Sequence, residues 1–226
     1  MISVAETKRF ARLHRKKHRE AEKIFLAEGE SVISEAPSPP LKTFSDPETV
    51  RKLSTLATPA GPVAAFSFLD RRLEDLLSTA ERVLLLHGVQ DPGNVGTAIR
   101  AAHAFGAGVA LSKGCADLYN PKTVRGTMGS IFHVPIAREI ETIELLDEAR
   151  EHDFTPVAAV PEGGVPPRSM SDGKTLILVG AEGGGLPTEV VEACDERVTI
   201  SSLAASLNAA VAAAILLHEA YSRVLP

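Results

Sequence analysis

The sequence contains no tryptophan and only ten aromatic residues, eight phenylalanines and two tyrosines, among its 226 positions. So few aromatic side chains argue against a platform that stacks the bases of single strands. The two cysteines, Cys115 and Cys194, lie far apart and outside any CxxC or Cys/His cluster. Because disulfide frameworks and structural zinc sites need closely spaced thiols, we expect a reduced, cytoplasmic protein without metal, in which both cysteines pack as small apolar residues.

Long apolar runs are absent as well. The longest covers nine residues, 209–217, whereas a membrane-spanning helix needs ~20. The first residues are basic and lack an apolar centre, which is unlike a secretory signal. We therefore expect no membrane as a partner.

Charge is unevenly distributed along the chain. The 24 basic and 29 acidic residues give a net charge of −5, yet residues 1–23 contain eight Lys/Arg and three Glu and carry +5. The remainder of the chain therefore carries −10. A basic segment on an acidic body can bind a polyanion locally, although the net charge hides it.

Residues 6–28 predict a basic helix. Phe10 and Leu13 fall on one stripe, and cations cover much of the remaining surface. The candidate phosphate contacts in this segment are Arg9, Arg12, Arg15, Lys16 and Arg19. The alternative interpretation is a solvated helix face that binds nothing.

The chain divides into two parts by composition. Four prolines in residues 35–47 exclude a continuous helix there. Residues 50–56 and 62–69 predict a short helix and a strand, and residues 71–81 predict a linker or connecting helix. The sequence thus predicts a small α/β domain over residues 1–79, which has few core residues and must pack against the second part or a partner chain.

The second part, residues 80–226, predicts an α/β domain with a parallel sheet. Residues 83–86 are continuously apolar, which is typical of a strand buried on both faces. Further strands are predicted near residues 109–111, 131–136, 156–160, 175–179 and 197–200. Helices are predicted at residues 95–105, from 120, at 139–151 and at 207–223. Such alternation indicates helices on both faces of the sheet, with ligands at the carboxyl ends of the strands.

The first candidate site segment, HGVQDPGNVGTAIR, follows the strand at residues 83–86. Asn94 is predicted to cap the next helix, and Thr97, Arg100 and His103 fall along its exposed side. The histidines His87, His103 and His133 have no acidic partner at a useful spacing, and we assign them no catalytic role.

Two further segments lie at predicted strand ends. In VGAEGGGLP, four glycines surround Glu182 and permit close backbone approach, but no Walker lysine follows. In SSLAASLNAAVAAAILL, Ser206 is the predicted helix cap and Asn208 is a poor helix former just inside the first turn. The residues predicted to face inward from this last helix are Leu207, Val211, Ala214 and Ile215.

Together, DPGNVGTAIRAAHAFG, LSKGCADLYNPKTVRGTMGSIFHVPI, VGAEGGGLP and SLNAAVAAAILLHEA resemble the motifs of the SpoU (TrmH-like) branch of the SPOUT RNA methyltransferases, over residues 83–221. The segment RLHRKKHREAEKIFLAEGESVISEA is similar to a shortened ribosomal-protein-like RNA-binding domain, in which FLAEG belongs to a strand. The resemblance implies a deep trefoil knot in the second domain, an exception to the rule of unknotted folds. It further implies a homodimer that binds S-adenosylmethionine and methylates a ribose 2′-hydroxyl of rRNA or tRNA.

By matching motifs, the resemblance implies which residues form the site. The implied catalytic residues are Arg100, Asn94, Glu182, Ser206 and Asn208. The implied cofactor-binding residues are Gly180, Ile200 and Leu207, acting largely through the backbone. Lys122 and Arg125 are additional candidate RNA contacts, or else part of a solvated face.

Arginine is often named as the base in this family. A guanidinium with a pKa above ~12 gives up no proton, so we expect Arg100 instead to bind the phosphate beside the target ribose and to stabilise the developing alkoxide. We expect the active site to be completed across the dimer interface.

One loop departs from the family pattern. Ile200 is followed by no proline, and only five residues, 201–205, precede Ser206. The shortened loop favours an alternative, a non-catalytic RNA-binding or ribosome-assembly factor without cofactor, whereas the intact site residues favour the enzyme. A nucleotide hydrolase would need a phosphate loop or metal carboxylates, which are not found. The N-terminal domain favours rRNA over tRNA as the substrate, since the simplest tRNA members lack a domain of this type.

Overall fold

The computed structural model describes residues 3–204 and 206–223. These residues form an α/β protein, as predicted, with two separate sheets. The strands are β1 (Ile24–Glu28), β2 (Lys42–Phe44), β3 (Val63–Ser67), β4 (Arg82–His87), β5 (Gly108–Ser112), β6 (Ile136–Ile140), β7 (Thr155–Ala159), β8 (Thr175–Gly180) and β9 (Glu196–Val198). The helices are α1 (Val4–Ala11), α2 (Lys16–Glu22), α3 (Glu30–Ile33), α4 (Pro47–Leu53), α5 (Leu73–Thr79), α6 (Pro92–Ala104), α7 (Pro121–Gly126), α8 (Thr142–Glu151), α9 (Thr188–Ala193) and α10 (Ala209–Ser222).

The single helix predicted over residues 6–28 is wrong. The segment contains α1, a short 3-10 turn and α2, with Arg15 in an extended conformation between them. Lys23 then adopts a left-handed conformation with φ of 53°, and β1 follows. The apolar run at Phe25 is buried in a sheet, so long-range strand pairing overrides the local helical pattern. The strand implied by the resemblance is confirmed.

The N-terminal sheet is antiparallel, in the order β1-β3-β2, and both of its faces are covered. On one face, Phe25 and Phe66 belong to the same core as Tyr119 of the second part. On the other face, Leu26 packs in a smaller core with Phe10. The N-terminal unit therefore packs against the second part, as expected for a unit with few core residues of its own.

The second sheet contains six parallel strands in the order β6-β5-β4-β8-β7-β9. Helices α6 and α10 contribute to the core on one face, whereas α5, α8 and α9 contribute to the core on the other. The predicted parallel sheet with helices on both faces is confirmed. In the register of β4 and β8, His87 lies opposite Gly180, so these strands end at the same edge of the sheet. The trefoil knot stays a prediction.

Helix α5 lies at the end of the predicted first domain, residues 1–79, but packs with the second part of the chain. The buried leucines Leu76 and Leu77 of α5 pack in the core shared by α8 and the second sheet. By packing, this helix therefore belongs with the second part of the chain. The boundary between residues 79 and 80 stays a prediction.

Several element boundaries differ from the predicted ones. Residues 131–136 are not a strand, because Ser130–Phe132 forms a 3-10 turn and β6 begins at Ile136. Ile131 and Val134 are nevertheless buried, and a short buried apolar run does not by itself distinguish a strand from a turn. The sequence pattern does not predict strand β2 or helix α9, which are only three and six residues long.

Both predicted helix caps are wrong by two or three residues. Helix α6 is capped by Asp91, whose side chain accepts a hydrogen bond from the Asn94 amide at 3.0 Å, and Pro92 occupies its first turn. Helix α10 is capped by Asn208 and not by Ser206. The poor helix propensity of Asn208 is thereby explained, because asparagine is a favoured cap.

The inward-facing residues predicted for the last helix are also partly wrong. The buried residues of α10 are Ala209, Ala210, Ala213, Leu216, Leu217 and Ala220. Val211 and Ile215 are 47% and 36% exposed and lie on the opposite side. No helix among residues 3–204 and 206–223 is long and apolar enough to cross a membrane.

The two cysteines are partly buried, as expected for small apolar residues. Cys115 packs against one core of the second sheet and Cys194 against the other. Burial raises the pKa of the Cys115 thiol and raises that of Cys194 to about 11. Neither thiol is therefore activated as a nucleophile.

Candidate active site

The three candidate segments meet in one hydrogen-bonded chain at the carboxyl edge of the second sheet. Asn94 Nδ2 donates to Glu182 Oε1, and Asn208 Nδ2 donates to Asn94 Oδ1 at 2.8 Å. Asn208 Oδ1 in turn accepts from the backbone amides of Ala210 and Val211, at 2.9 and 3.2 Å. We call Glu182, Asn94 and Asn208 the polar relay. It joins the start of α6, the loop after β8 and the start of α10.

The direction of every hydrogen bond in the polar relay is determined by its two ends. At one end the Glu182 carboxylate, when ionised, only accepts. At the other end the first amides of α10 only donate, so Asn208 must present its oxygen to the helix. Both asparagine amides are thereby oriented, because turning either one around would place two donors or two acceptors face to face.

Helix α7 holds the start of α6 in place. Lys122 Nζ donates to the capping carboxylate of Asp91 at 2.9 Å and thereby lowers the pKa of Asp91. The two helices also approach at the backbone, since a Cβ atom on Gly96 would lie only 2.7 Å from the Thr123 carbonyl oxygen. The Asn94 side chain is therefore carried on a helix end that is fixed from two sides.

The glycine-rich loop turns back on the end of β8. The amide of Gly185 donates to the Ala181 carbonyl at 2.9 Å, which closes a tight turn with Glu182 at its exposed tip. A Cβ atom on Gly180 would lie 2.1 Å from the Gly185 carbonyl carbon, so only glycine fits at this point. Around Gly184, by contrast, no atom of the described residues would lie within 4 Å of an added Cβ atom.

The three implied cofactor-binding residues lie at or after strand ends on the edge of the sheet that bears this loop. Gly180, Ile200 and Leu207 are all partly buried; Gly180 is the last residue of β8, Ile200 follows β9, and Leu207 precedes α10. Strands β8, β7 and β9 are neighbours, so the loops after them open at one edge. Partly buried aliphatic side chains and an exposed glycine loop at one edge of the sheet fit a flat, largely apolar adenosyl group held by main-chain contacts.

The shortened loop lies directly beside these residues. Residues 201–204 are exposed, and Leu203 extends fully into solvent. Ala205 lies outside the described residues. Ser206 is exposed and is not a member of the polar relay.

Arg100 is placed differently from the other implied catalytic residues. It lies on α6 six residues after Asn94, which corresponds to a rotation of roughly 120° and a rise of about 9 Å on an α-helix. The side chain is exposed and makes no hydrogen bond or ion pair to any described residue. Thr97 and His103 are exposed on the same side, as predicted. Arg100 therefore faces solvent and not the polar relay of its own chain.

Arg19 does not point to RNA, which corrects its assignment as a phosphate contact. Its side chain is 3% exposed, donates to the Leu13 carbonyl at 2.6 Å and forms an ion pair with Asp117. The guanidinium therefore makes its contacts inside the protein, where it links α2 to the segment before α7.

The other four candidate phosphate contacts of the basic segment are exposed, but two of them have protein partners. Arg9 pairs with Glu22 at 2.7 Å, and Lys16 pairs with Glu139 at 3.1 Å. Arg12 and Arg15 are exposed and make no side-chain hydrogen bond to the residues that the structure describes. Of the candidate contacts, these two are therefore the ones available for phosphate.

Lys122 and Arg125 serve internal contacts as well. Lys122 binds the α6 cap, and Arg125 Nη1 donates to the Thr55 hydroxyl of the N-terminal unit at 2.8 Å. Arg125 is partly buried, whereas Lys122 is exposed. Their role as RNA contacts stays a prediction.

A second polar network, which the sequence did not predict, lies at the edge strand β6. Arg138 donates to Asp70 at 2.8 Å and to Glu20 at 2.6 Å, and its guanidinium lies over the Phe68 and Tyr119 rings. The network fastens α2 to the edge strand of the second sheet. No local signal marks Arg138, since its partners lie 68 and 118 residues away.

His87 lies at the end of β4 but faces away from the polar relay. Its Nδ1 atom lies 2.8 Å from the Thr142 hydroxyl of α8, on the opposite face of the sheet, and burial lowers its pKa. Among residues 3–204 and 206–223, no three His, Cys, Asp or Glu side chains are grouped as metal ligands.

The fold and the site define a class of RNA-modifying enzyme. Residues 81–218 match the SpoU rRNA Methylase family, and the chain belongs to this family, as the resemblance predicted. The 23S rRNA (guanosine(2553)-2′-O)-methyltransferase RlmP of Bacillus subtilis is 33% identical over 236 residues, which cover 95% of each chain.

Two solved structures share the whole architecture. An AdoMet-bound rRNA methyltransferase from Sinorhizobium meliloti superposes with a TM-score of 0.90 at 28% identity, over 100% of this chain and 98% of that one. The SpoU methyltransferase AviRb from Streptomyces viridochromogenes, in complex with the cofactor AdoMet, superposes with a TM-score of 0.85 at 28% identity over 98% of each chain. The similarity therefore includes the N-terminal unit.

Proposed function

We propose that this protein methylates the 2′-hydroxyl of one nucleotide in 23S rRNA, with Arg100, Asn94, Glu182, Ser206 and Asn208 as its active-site residues. As a member of its family, the chain is an RNA 2′-O-ribose methyltransferase that uses S-adenosylmethionine. The choice of 23S rRNA is supported by RlmP, which matches along 95% of its length. The observation that carries the proposal is the polar relay, which joins the three implied site segments.

The comparisons support the enzyme and not the non-catalytic alternative. The relatives are named as 2′-O-methyltransferases, and two neighbours of the same architecture hold AdoMet. Gly180 ends β8, and Ile200 and Leu207 flank the shortened loop that follows β9, a neighbouring part of the same sheet edge. These three residues would hold the adenosyl part of the cofactor.

The cofactor, when bound, supplies an electrophilic methyl group on a sulfonium centre. The protein contributes position, because an in-line attack by a hydroxyl depends on the alignment of the reacting atoms. Asn94, Asn208 and Glu182 supply this alignment by fixing three loops relative to one another. Ser206, exposed beside Leu207, would bind polar groups of the substrate at the edge of the same site.

Arg100 binds the RNA backbone in this proposal. A guanidinium can hold a phosphate through two parallel hydrogen bonds, and its fixed positive charge stabilises an alkoxide as the hydroxyl loses its proton. It does not act as a base, since a guanidinium group gives up no proton in proteins. The absence of any hydrogen bond from Arg100 to a described residue leaves the guanidinium available for these contacts.

The active site is completed in a homodimer. Val211 and Ile215 form an exposed apolar pair on α10. Helix α10 packs against α6, the helix whose exposed face bears Arg100. A twofold interface over these helices would carry Arg100 of one subunit toward the polar relay of the other. We expect Val211→Glu to reduce the native mass to that of one chain and to abolish methylation, whereas Ile143→Glu, an equally exposed site on α8, leaves both unchanged.

The first experiment is a calorimetric titration with S-adenosylmethionine, followed by methylation of transcribed, unmodified 23S rRNA and mapping of 2′-O-methyl groups. We expect one site per subunit with micromolar affinity, about −8 kcal/mol, and one methylated nucleotide. Asn94→Ala is the test variant, and Asp153→Ala, in the distant turn after α8, is its matched control. Cofactor binding without methylation of 23S rRNA would move the substrate to tRNA, and absence of both activities would overturn the proposal.

A further inference from the structure

Two exposed histidine rings lie stacked on the surface beside Arg100. The centroids of His103 and His133 are 4.7 Å apart, and the ring planes differ by only 12°. His103 follows Arg100 by three residues on α6, a spacing that makes the two side chains neighbours on one helix face. His133 is brought to this place by the 3-10 turn Ser130–Phe132.

A hydrogen bond orients each ring. Nδ1 of His103 lies 3.1 Å from the Ser130 hydroxyl, and Nε2 of His133 lies 3.0 Å from a Glu35 carboxylate oxygen. The remaining ring nitrogens make no hydrogen bond to any described residue. Since both orientations are already fixed, a ligand that stacks on the pair would lose little binding free energy to side-chain ordering.

Met128 is an exposed apolar residue in the turn that leads to Ser130. It lies two residues before Ser130, is 49% exposed and has a left-handed backbone with φ of 50°. A non-glycine residue in this conformation is strained, and such strain concentrates at binding sites. A thioether packs well against flat rings.

The arrangement suits a flat ligand and not a metal ion. Parallel imidazole rings direct their in-plane lone pairs side by side and not toward a common point, whereas a metal needs convergent donors.

The two histidines are the exposed flat rings beside Arg100, because every phenylalanine and tyrosine of the described residues is buried or partly buried. Single-stranded RNA is commonly bound by stacking of its bases on aromatic side chains, histidine included.

We propose that His103 and His133, together with Met128, form a stacking site for an unpaired nucleobase of the RNA substrate next to the nucleotide whose phosphate Arg100 binds. The proposal rests on the proposed function, because it assumes an RNA substrate at Arg100. It places the base recognised by stacking on the exposed side of α6, outside the polar relay and the cofactor loops.

The test compares variants that keep or remove the ring. His103→Gln and His133→Gln retain a polar group for Ser130 or Glu35 but lose the ring, and His103→Phe retains it. The control is His152→Gln, at the end of α8 on the other face of the sheet. For each folded variant, the dissociation constant for transcribed, unmodified 23S rRNA is measured without cofactor, and KM and kcat are measured with it.

We expect the Gln variants to raise the RNA dissociation constant and KM by at least about fivefold, the lower end of what one stacked base contributes. Their kcat should change by less than about twofold, and His103→Phe should bind RNA as the native protein does, since only the ring is needed. Native-like RNA binding by both Gln variants would overturn the proposal, and so would a loss in His103→Phe equal to that in His103→Gln.

The native mass and the methylation activity separate the stacking site from a subunit interface and from the proposed function. If the Gln variants halve the native mass, the histidines belong to the subunit interface and the proposal is wrong. If ring-dependent RNA binding persists while native protein methylates no RNA, the stacking site stands and the proposed function fails. If methylation is intact and RNA binding is independent of the rings, the proposed function stands and the stacking site is wrong.

Discussion

Asn94 Oδ1 accepts a hydrogen bond from Asn208 Nδ2 at 2.8 Å and thereby ties the first turn of α6 to the cap of α10. The two residues are 114 positions apart, and Glu182 extends the connection to the loop after β8. Loops that follow three different strands are thus coupled, so a change in one of the three side chains is expected to disturb all three loops.

Asn208 has two separable roles, as a helix cap and as a member of the polar relay. Asn208→Asp keeps an oxygen for the α10 amides, so the unfolding free energy should change by less than about 1 kcal/mol. It cannot donate to Asn94, and we expect methylation to fall by at least about tenfold, as for loss of a hydrogen bond of about 1.5 kcal/mol. Chemical denaturation and single-turnover methylation measure the two effects. Full activity of the Asp variant would show that the cap alone matters.

Gly180 and Gly184 form a matched pair for testing the cofactor loop. A methyl group on Gly180 would collide with the Gly185 backbone, whereas one on Gly184 would meet no atom of residues 3–204 and 206–223 within 4 Å. We expect Gly180→Ala to weaken S-adenosylmethionine binding by more than about tenfold, or 1.4 kcal/mol, by calorimetry. Gly184→Ala should bind as the native protein does. Equal affinities of the two variants would contradict the assignment of Gly180.

Arg100 is tested by replacement with lysine and alanine. Lysine keeps the positive charge but loses the planar fork, so we expect kcat/KM to fall about tenfold or more in Arg100→Lys and further in Arg100→Ala. Steady-state methylation of 23S rRNA measures this ratio. If Arg100→Lys retains most of its activity, bidentate phosphate binding is not the main role of this residue.

Arg19 and Arg12 lie in the same basic segment but are expected to behave differently. Arg19→Met leaves the Asp117 carboxylate without its buried partner, and the unfolding free energy should fall by about 3 kcal/mol. Arg12→Met should leave stability unchanged but reduce RNA affinity, and the slope of log K against log salt should become less steep by about one. Denaturation and salt-dependent RNA binding distinguish the two. A stable Arg19→Met with weakened RNA binding would show that Arg19 contacts phosphate after all.

Glu20 gives the protein an acid-sensitive contact. The hydrogen bond from Arg138 lowers the pKa of Glu20 from 4.5 to about 2. A carboxyl group with a depressed pKa in the folded state stabilises the protein fully above its unfolded-state value, and this contribution is lost as the pH falls toward the folded-state value. The stability difference between native protein and Glu20→Gln should therefore be constant above about pH 5.5 and shrink between about pH 4.5 and 2. A difference that does not vary with pH would contradict the contact.

Much of the site could be predicted because its residues lie in local motifs. Asn94, Glu182 and Asn208 each stand beside glycines or a helix start that mark a strand end, and parallel strands bring such ends together. Their mutual hydrogen bonds could not be predicted, since the side-chain directions depend on the exact helix starts. The observed caps, Asp91 and Asn208, lie two or three residues from the predicted ones. With the helices starting at these caps, the Asn94 and Asn208 amides face each other.

By itself, the sequence determined the parallel α/β architecture through its apolar periodicity and glycine turns, which are local properties of the chain. The family and the residues of the polar relay followed from the resemblance of its motifs. Only the tertiary structure decided that the basic segment ends in strand β1, that Arg19 is buried and that Arg138 fastens α2 to the sheet. The physical reason is distance along the chain. Arg19 meets Asp117 at a separation of 98 residues, and Arg138 meets Glu20 at 118, so burial and pairing are determined by partners outside any local pattern.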